Sequence, residues 1–226
     1  MILEHDYQKI WEEKFSKSDW GRYPPEDLVR FIGRNYRQKD RKTTRILEVG
    51  CGPGANIWFL HREGFDVSGI DGAPIAIEQA ENRITRENHN DLSSLDLRVG
   101  NFAQLPWSDE SFDVVIDVFA IYANPTSVIA QVVEEVYRVL KPGGKLFCKL
   151  WGTETTGFGQ GDKIEDHTFT NIPVGPCAGF GVSHFFDRNE IKAIFHRFNV
   201  ISIDRVFRSD IYNDCDIEEF VCIFIK

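Results

Sequence analysis

Ile46-Leu-Glu-Val-Gly-Cys-Gly-Pro-Gly54 is the stretch that decides the fold of this 226-residue chain. The apolar run that ends at Val49 is typical of a buried strand, and three glycines, Gly50, Gly52 and Gly54, follow it directly. Glycine at these positions lets the backbone turn sharply into a helix and approach a ligand with no side chain in between. By itself the loop indicates a nucleotide-like ligand, and an ordinary tight turn is the alternative.

Around this stretch, short apolar runs alternate with longer amphipathic ones. We predict strands at about 45–49, 65–70, 95–99, 112–118 and 144–150, and helices at about 54–63, 73–87 and 126–140. Such alternation indicates an α/β fold, with a mostly parallel, doubly wound sheet and helices on both faces. Asp187 is expected to cap a last helix that ends near Phe198. The apolar runs 200–206 and 220–225 have no crossover helix between them, so they predict an antiparallel C-terminal hairpin.

Two segments lie outside the alternating pattern. Residues 1–43 are predicted to form an N-terminal helical extension of two helices, with Tyr7 and Trp11 on one face of the first. Residues 152–186 are glycine-rich and then irregular, and long loops in compact domains are usually functional or disordered. We therefore expect an irregular insertion on the substrate side there. Because neither a repeat nor a proline-rich linker interrupts the chain, we predict a single domain over 1–226.

The charge and the cysteines narrow the classes of partner. A formal net charge of -9 repels polyanions, and the one basic run, 34–45, is best interpreted as a solvated linker, so nucleic acid is disfavoured. The five cysteines include no C-x-x-C pair, so neither a disulfide framework nor a metal site is predicted. No apolar run is long enough to span a bilayer, and the first residues lack the pattern of a signal peptide. We expect a cytoplasmic protein that does not associate with a membrane.

Acidic side chains accompany the glycine loop. Glu48 lies two residues before Gly50, and Asp71 ends the next predicted strand, 21 residues after Gly50. An acid at the second position is where the hydroxyl pair of a ribose would be held. The combination favours a nucleotide-containing cofactor over a simple turn with an exposed acid.

The motifs resemble those of the class I S-adenosylmethionine-dependent methyltransferases. The resemblance is close over residues 44–151 and looser in the C-terminal hairpin. The glycine stretch resembles the first motif of that family, Gly69-Ile-Asp-Gly72 the second, and residues 99–107 the third, while 136–144 resembles the junction before the fifth strand. The resemblance implies a Rossmann-like, seven-stranded sheet, S-adenosyl-L-methionine as the cofactor and S-adenosyl-L-homocysteine as its product.

The resemblance also implies a set of cofactor-binding residues. They are Glu48, Gly50, Cys51, Gly52, Gly54, Asp71, Gly72, Asn101, Phe102 and Asp117. The glycines would surround the amino acid portion of the cofactor, and Glu48 and Asp117 would lie near its ammonium group. Asp71 would hold the ribose, and Asn101 with Phe102 would bracket the adenine. Many family members have aspartate where this chain has Asn101, whose amide oxygen can still accept a hydrogen bond although the charge is lost.

Substrate contacts are predicted from position alone. Methyl transfer chiefly requires that the nucleophile be aligned behind the methyl group, and proximity can supply roughly 7–11 kcal/mol, so a general base is optional. Catalytic residues stay unassigned, with Tyr122 and His184 as weak candidates. The substrate candidates beyond the strand ends are Tyr122, Trp151, His167 and His184. Packing is the more common role for a histidine placed like His184. Tyr7 and Trp11 are candidates for a lid, with core packing as the more common role.

The sequence favours methyl transfer to a small-molecule acceptor by in-line displacement, and three alternatives stay open. Tyr137 and Lys141 match the Tyr-x-x-x-Lys pattern of nicotinamide-dependent reductases, but Tyr137 continues the apolar face of its helix. A methyltransferase acting on a macromolecule would share the cofactor motifs, yet the fourth strand ends in Asp117-Val-Phe-Ala120 rather than Asn-Pro-Pro-Tyr. A non-catalytic S-adenosylmethionine-binding protein would keep the fold. The sequence specifies neither the acceptor nor the oligomeric state.

Overall fold

In the computed structural model, the alternating apolar runs form one sheet covered by helices. The structure describes residues 4–17, 20–87 and 92–226, with side chains from Lys9 onward. The strands are β1 (Arg45–Val49), β2 (Asp66–Asp71), β3 (Leu95–Val99), β4 (Phe112–Val118), β5 (Leu140–Trp151), β6 (Asp162–Glu165), β7 (Thr168–Thr170), β8 (Ser183–His184), β9 (Asn199–Asp210) and β10 (Cys215–Ile225). The helices are α1 (Glu4–Lys17), α2 (Glu26–Tyr36), α3 (Ala55–Arg62), α4 (Pro74–Glu87), α5 (Thr126–Val139) and α6 (Arg188–Ile194).

The main sheet has seven strands in the order β3-β2-β1-β4-β5-β10-β9. Strands β1 to β5 pair in parallel, and β10 is antiparallel to both β5 and β9. The predicted α/β fold with an antiparallel C-terminal hairpin is therefore confirmed. The strand order reverses between β1 and β4, and ligands of open α/β sheets bind outside the carboxyl ends of the strands at such a point.

Apolar side chains hold helices against both faces of this sheet. Neighbouring residues of one strand, such as Ile46 and Leu47 of β1, point to opposite faces. Ile46 and Phe147 pack with α2, α3 and α4, whereas Leu47 and Leu146 pack with α5 and α6. Phe31 of α2 lies 5.1 Å from Phe147, measured between ring centroids. The second helix of the N-terminal extension is thus part of one helical layer. Among the described helices, none is long and apolar enough to cross a membrane.

Two element boundaries near the C-terminus differ from the predicted ones. Strand β5 begins at Leu140, which pairs with Phe112 of β4, and the backbone of Gly143 and Gly144 is hydrogen-bonded to Lys226, just after β10. Helix α6 ends at Ile194 instead of continuing to about Phe198, and the chain then turns so that Phe198 is buried. The predicted cap of this helix is present, since the carboxylate of Asp187 accepts from the backbone N–H groups of the first turn.

The insertion 152–186 is not irregular throughout, contrary to the prediction. Strands β6, β7 and β8 form a small antiparallel sheet within it. These strands are four, three and two residues long, which is too short to show a hydrophobic period in the sequence. Turns that contain residues with positive φ, among them His167 and Asn171, connect them.

Glu190 of α6 fixes this small sheet to the rest of the molecule. Its Oε2 lies 3.0 Å from Nδ1 of His167, and its Oε1 lies 3.2 Å from Nε2 of His184. Nδ1 of His184 lies 2.7 Å from the hydroxyl oxygen of Thr168 on the neighbouring strand. Burial acts to raise the pKa of Glu190, but the hydrogen bonds and charges of the two histidines outweigh it, and the pKa is lowered. We call Glu190, His167 and His184 the carboxylate clamp.

The insertion also caps a core helix. Oε1 of Glu165 accepts a hydrogen bond of 2.6 Å from the backbone N–H of Thr126, the first residue of α5. A carboxylate is favourable at this place because the first N–H groups of a helix have no partner within the helix. The insertion is therefore tied to both α5 and α6.

We expect Glu190→Gln to lower the free energy of unfolding by about 1–3 kcal/mol near neutral pH, because it removes a carboxylate that is hydrogen-bonded to His167 and lies 3.2 Å from Nε2 of His184. Glu134→Gln removes an exposed carboxylate paired with Arg197 and should cost less than about 0.5 kcal/mol. Chemical denaturation measures both variants. A carboxyl whose pKa is lowered by folding loses its contribution as the pH falls, so the deficit of Glu190→Gln should shrink at acidic pH. Equal costs for the two variants would contradict the clamp.

Candidate cofactor and substrate site

A cavity of ≈ 610 Å³ lies at the carboxyl ends of the parallel strands. Segments that follow β1, β2, β3 and β4 form its floor, and α1, residues 20–25 and the insertion form its roof. Eight of the ten predicted cofactor residues line it, namely Glu48, Gly50, Cys51, Gly52, Asp71, Gly72, Asn101 and Phe102. Gly54 and Asp117 lie outside the lining. Residues predicted from three separate stretches of chain thus line one cavity.

The glycine loop needs its glycines for two physical reasons. Gly50, Gly52 and Gly54 have φ values of +62°, +51° and +80°. These lie in the left-handed region, which residues other than glycine rarely adopt. A Cβ at Gly50 would also lie 2.2 Å from the Cβ of Ala120, in the segment after β4. A Cβ at Gly54 would lie 2.7 Å from that of Ala80 in α4, so Gly54 serves the packing of two helices and faces away from the cavity.

Asp71 braces the glycine loop against the end of β2. Its Oδ2 accepts a hydrogen bond of 2.8 Å from the backbone N–H of Gly52, and its Oδ1 accepts one of 2.9 Å from that of Ala73. Burial raises the pKa of Asp71, and these two N–H groups offset part of the rise. Each carboxylate oxygen keeps a second lone pair, which can accept from a hydroxyl in the cavity.

Glu48 and Asn56 together present unpaired acceptors. Oε1 of Glu48 accepts a hydrogen bond of 2.6 Å from the side-chain amide of Asn56, in the first turn of α3. Oε2 of Glu48 and Oδ1 of Asn56 are buried and have no hydrogen-bond partner in the part of the chain that the structure describes. Buried acceptors of this kind require a donor, and an ammonium group supplies three. Asn56 was not predicted, although it is the one polar residue in the first part of α3.

Burial raises the pKa of Glu48 to about 8, and the hydrogen bond from Asn56 lowers it in part. A cation placed beside a buried carboxylate favours its ionised form. The pair therefore fits the cationic amino end of an amino acid.

Asp117 supports the site from below instead of lining it. It is fully buried, and its Oδ1 accepts hydrogen bonds of 3.0 Å from the backbone N–H groups of Ala120 and Ile121. Burial raises its pKa to about 7, while the two N–H groups act against the rise. Asp117 does not line the cavity, but its Oδ2 is buried without a hydrogen-bond partner among the described residues, and its charge helps to raise the pKa of Glu48. The expectation that it lies near the cofactor's ammonium stays a prediction.

Asn101 and Phe102 line the cavity after β3. Oδ1 of Asn101 accepts a hydrogen bond of 2.8 Å from the backbone N–H of Ala103, which holds the amide in place. A carbonyl oxygen has two lone pairs, so this oxygen can accept a second hydrogen bond. The ring of Phe102 lies near Gly50, 3.7 Å from the place a Cβ there would take.

Comparisons with known proteins agree with this geometry. A family model described as a methyltransferase domain matches residues 46–144. The chain is similar to a structure of an S-adenosylmethionine-dependent methyltransferase from Methanosarcina mazei, with a TM-score of 0.71 and 26% identity over 86% of this chain and 96% of that one. Residues 46–144 thus match a methyltransferase domain, and most of the chain is similar in structure to an S-adenosylmethionine-dependent methyltransferase. S-adenosylmethionine is the cofactor of such methyltransferases, and the acceptors described above fit its ammonium group and its ribose hydroxyls.

Two curated relatives of this chain match over part of their length. Phthiotriol/phenolphthiotriol dimycocerosates methyltransferase 1 of Mycobacterium ulcerans is 34% identical over 125 residues, which cover 54% of this chain and 43% of that protein. Demethylmenaquinone methyltransferase of Listeria monocytogenes is 35% identical over 111 residues, which cover 48% of this chain and 45% of that protein. The matched part spans less than half the length of both relatives.

The roof over the cavity is aromatic. Trp11 of α1 stacks between Phe15, at 5.6 Å, and Phe180 of the insertion, at 5.5 Å, measured between ring centroids. Trp20 meets Phe15 and Phe180 edge-on at 5.2 and 5.9 Å. The lid candidate Trp11 thus lines the cavity, whereas the side chain of Tyr7 lies outside the described part of the chain. Trp20 and Phe180 were missed, because neither belongs to a motif or a periodic segment.

The end of the cavity beyond β4 and β5 is aromatic as well. Phe119 has a φ of +55°, and its ring stacks on Trp151 at 4.0 Å with an angle of 14° between the planes. Tyr122 meets Trp151 edge-on at 6.2 Å. Tyr122 and Trp151 therefore line the cavity at the place where substrate contacts were predicted. Burial raises the pKa of the Tyr122 hydroxyl well above its ordinary value, so the hydroxyl stays protonated.

The two histidines predicted to contact substrate lie elsewhere. His167 and His184 belong to the carboxylate clamp, and neither is among the residues that line the cavity. His184 is completely buried within the insertion. Their placement corrects the expectation of a substrate contact and removes His184 as a candidate base. Within residues 4–17, 20–87 and 92–226, no group of three or more histidine, cysteine, aspartate or glutamate side chains is arranged to hold a metal ion.

We expect the affinity for S-adenosylhomocysteine to rise with pH and to level off above about pH 8, because the ammonium group of the ligand favours the ionised form of Glu48. Isothermal titration calorimetry over this range should show proton release on binding. Glu48→Gln should bind more weakly and lose the pH dependence, whereas Glu81→Gln, an exposed residue of α4, should keep both. A pH dependence that survives in Glu48→Gln would assign it to another group.

Proposed function

We propose that this protein transfers the methyl group of S-adenosylmethionine to a small-molecule acceptor by in-line displacement. The observation that carries the proposal is a single cavity that joins the glycine loop and its acids to an aromatic end compartment. Its volume of ≈ 610 Å³ is typical of small-molecule sites. The roof made by Trp11, Trp20 and Phe180 covers this cavity, which favours a small acceptor over a macromolecule.

The residues that would bind the cofactor provide hydrogen-bond acceptors and an aromatic surface. Glu48 and Asn56 would accept from the ammonium group, and Asp71 would accept from the ribose hydroxyls while it braces Gly52. Asn101 and Phe102 would contact the adenine through an amide oxygen and an aromatic face. Oε2 of Glu48 and Oδ1 of Asn56 are buried acceptors that no described residue satisfies, which supports this assignment.

The protein's contribution to catalysis would be alignment and the exclusion of water. S-adenosylmethionine supplies an electrophilic methyl group on a positively charged sulfur. Phe119, Tyr122 and Trp151 would hold the acceptor in line with this methyl group, and the aromatic roof would keep water out. Proximity and orientation can account for roughly 7–11 kcal/mol of the barrier, so no catalytic triad or metal is required.

The names of the curated relatives support a small acceptor. They are described as methyltransferases of phthiotriol or phenolphthiotriol dimycocerosates and of demethylmenaquinone. Neither name denotes a protein or a nucleic acid. The net charge of -9 acts in the same direction, because it repels nucleic acid at long range.

We expect S-adenosylmethionine and S-adenosylhomocysteine, but not NADH, to raise the melting temperature of the protein. Asp71→Asn should weaken S-adenosylhomocysteine binding at least about tenfold, because an amide nitrogen replaces one of two charged acceptors. Asp66→Asn, at the other end of β2, is the matched control and should bind normally. No stabilisation by either cofactor form at millimolar concentration would refute the proposed function. Transfer of a labelled methyl group to extracted protein or nucleic acid, with none to metabolites, would point to a macromolecular acceptor.

A further inference from the structure

The titratable side chains of the cavity are unevenly distributed. Those among the lining residues are Tyr23, Glu48, Cys51, Asp71 and Tyr122. Glu48, Cys51 and Asp71 belong to the glycine loop and its brace, which the proposed function assigns to the cofactor. Tyr23 is 73% exposed at the mouth. Within the described lining, only Tyr122 remains at the aromatic end.

Tyr122 acts there as a hydrogen-bond donor and not as a base. Its side chain is buried, and its hydroxyl keeps its proton because burial, reinforced by the nearby Cys177 thiol, disfavours the phenolate. A phenol with a raised pKa has little tendency to ionise but can still donate its O–H to an oxygen. The compartment around it therefore offers a donor and aromatic surfaces, with no side chain placed to take up a proton.

The position of Tyr122 is held by the backbone of the site. The turn Ile121–Ala123 is capped by the buried carboxylate of Asp117, and the Tyr122 ring packs edge-on against Trp151. Trp151 in turn stacks on Phe119, whose φ of +55° is a strained conformation for a bulky residue. Side chains at substrate contacts need this kind of support, because small misplacements are costly to catalysis.

From this arrangement we infer that the acceptor is an apolar, ring-containing molecule whose reactive group is already an oxygen anion when it binds, and that Tyr122 positions it by donating a hydrogen bond to that oxygen. The inference rests on the proposed function and names the substrate class of the same site. The acceptor oxygen belongs to a phenolate or enolate. The aromatic faces of Phe119 and Trp151 suit its ring system.

The transfer step balances without a protein base. The acceptor loses its proton to solvent before binding. The oxyanion, or the carbon conjugated to it, forms a bond to the methyl carbon while the carbon–sulfur bond breaks. The electron pair of that bond stays on sulfur and leaves a neutral thioether, so the negative charge of the acceptor and the positive charge of the sulfonium disappear together. Since Glu48 and Asp71 already contribute negative charge to the cavity, an acceptor with a single charge is favoured over a multiply charged one.

Three bicyclic probes of similar size test the inference by calorimetry. 2-Hydroxy-1,4-naphthoquinone is an oxygen anion at neutral pH, 2-naphthol is neutral, and N,N-dimethyl-2-naphthylamine has a nucleophile without a proton or an oxygen. Each is titrated into the protein saturated with sinefungin, an analogue of the cofactor that carries an ammonium group in place of the methylated sulfur. We expect the quinone anion to bind at least about tenfold more tightly than the other two.

Tyr122→Phe should lower the affinity for the quinone anion about tenfold, because a hydrogen bond to a charged oxygen is lost. Tyr137→Phe is the matched control, because Tyr137 packs against Phe198 and is not among the lining residues. For the unmodified protein, the affinity for 2-naphthol should rise as the pH approaches the pKa of the naphthol, and in Tyr122→Phe it should rise much less. A change in packing alone would not remove this pH dependence. The titration of the unmodified protein remains a test even if the variant fails to fold.

Several outcomes would overturn the inference. They are equal or tighter binding of the amine, an unchanged affinity for the quinone anion in Tyr122→Phe, and no binding of the anion to the sinefungin complex. The affinity for sinefungin is measured in the same experiment. If sinefungin binds and the anion does not, only the acceptor class is wrong. If sinefungin itself does not bind, the proposed function fails first.

Discussion

The absence of room for a side chain at Gly50 is the constraint on which the rest of the site depends. A Cβ there would overlap Ala120, so the loop after β1 and the segment after β4 lie in direct contact where the strand order reverses. Asp71 then joins the end of β2 to the same loop through the N–H of Gly52. Three strand ends are thereby held at fixed separations. The cavity floor is a consequence of this contact, and so is the placement of Tyr122 two residues beyond Ala120.

Three carboxyl groups are buried in or below the floor of the cavity, where their ionised forms are unfavourable. Burial raises the pKa values of Glu48, Asp71 and Asp117, although backbone N–H groups or Asn56 offset part of each rise. A ligand with an ammonium and a sulfonium supplies positive charge to this region, which favours the ionised carboxylates. The roof of the cavity is apolar. It is formed where Trp11 of α1 stacks on Phe180 of the insertion. A charged floor and an apolar roof together suit a cationic cofactor beside an apolar acceptor.

The features of the fold that were predicted correctly from the sequence depend on local patterns. Positive φ values at Gly50 and Gly52 and the alternation of strands and helices depend on short-range sterics and periodicity, so they can be recognised without a structure. Tertiary contacts account for the rest. Phe180 belongs to the insertion and stacks on Trp11 of α1, and strands of two to four residues are too short to show a hydrophobic period in the sequence. Asp117 was expected among the cofactor residues from its strand position, but it does not line the cavity, and its Oδ1 accepts hydrogen bonds from backbone N–H groups after β4.

The most direct test of the central constraint compares two alanine substitutions at glycines with positive φ. Gly50→Ala combines an unfavourable φ of +62° with an overlap at Ala120, whereas Gly143→Ala has a φ of +76° and open space around it. Both variants should lose about 1–2 kcal/mol from the backbone conformation alone. The dissociation constant of S-adenosylhomocysteine, measured by calorimetry on folded protein, should rise more than about tenfold in Gly50→Ala and stay unchanged in Gly143→Ala. Unchanged binding in Gly50→Ala would show that the contact between the two loops does not control the cofactor site.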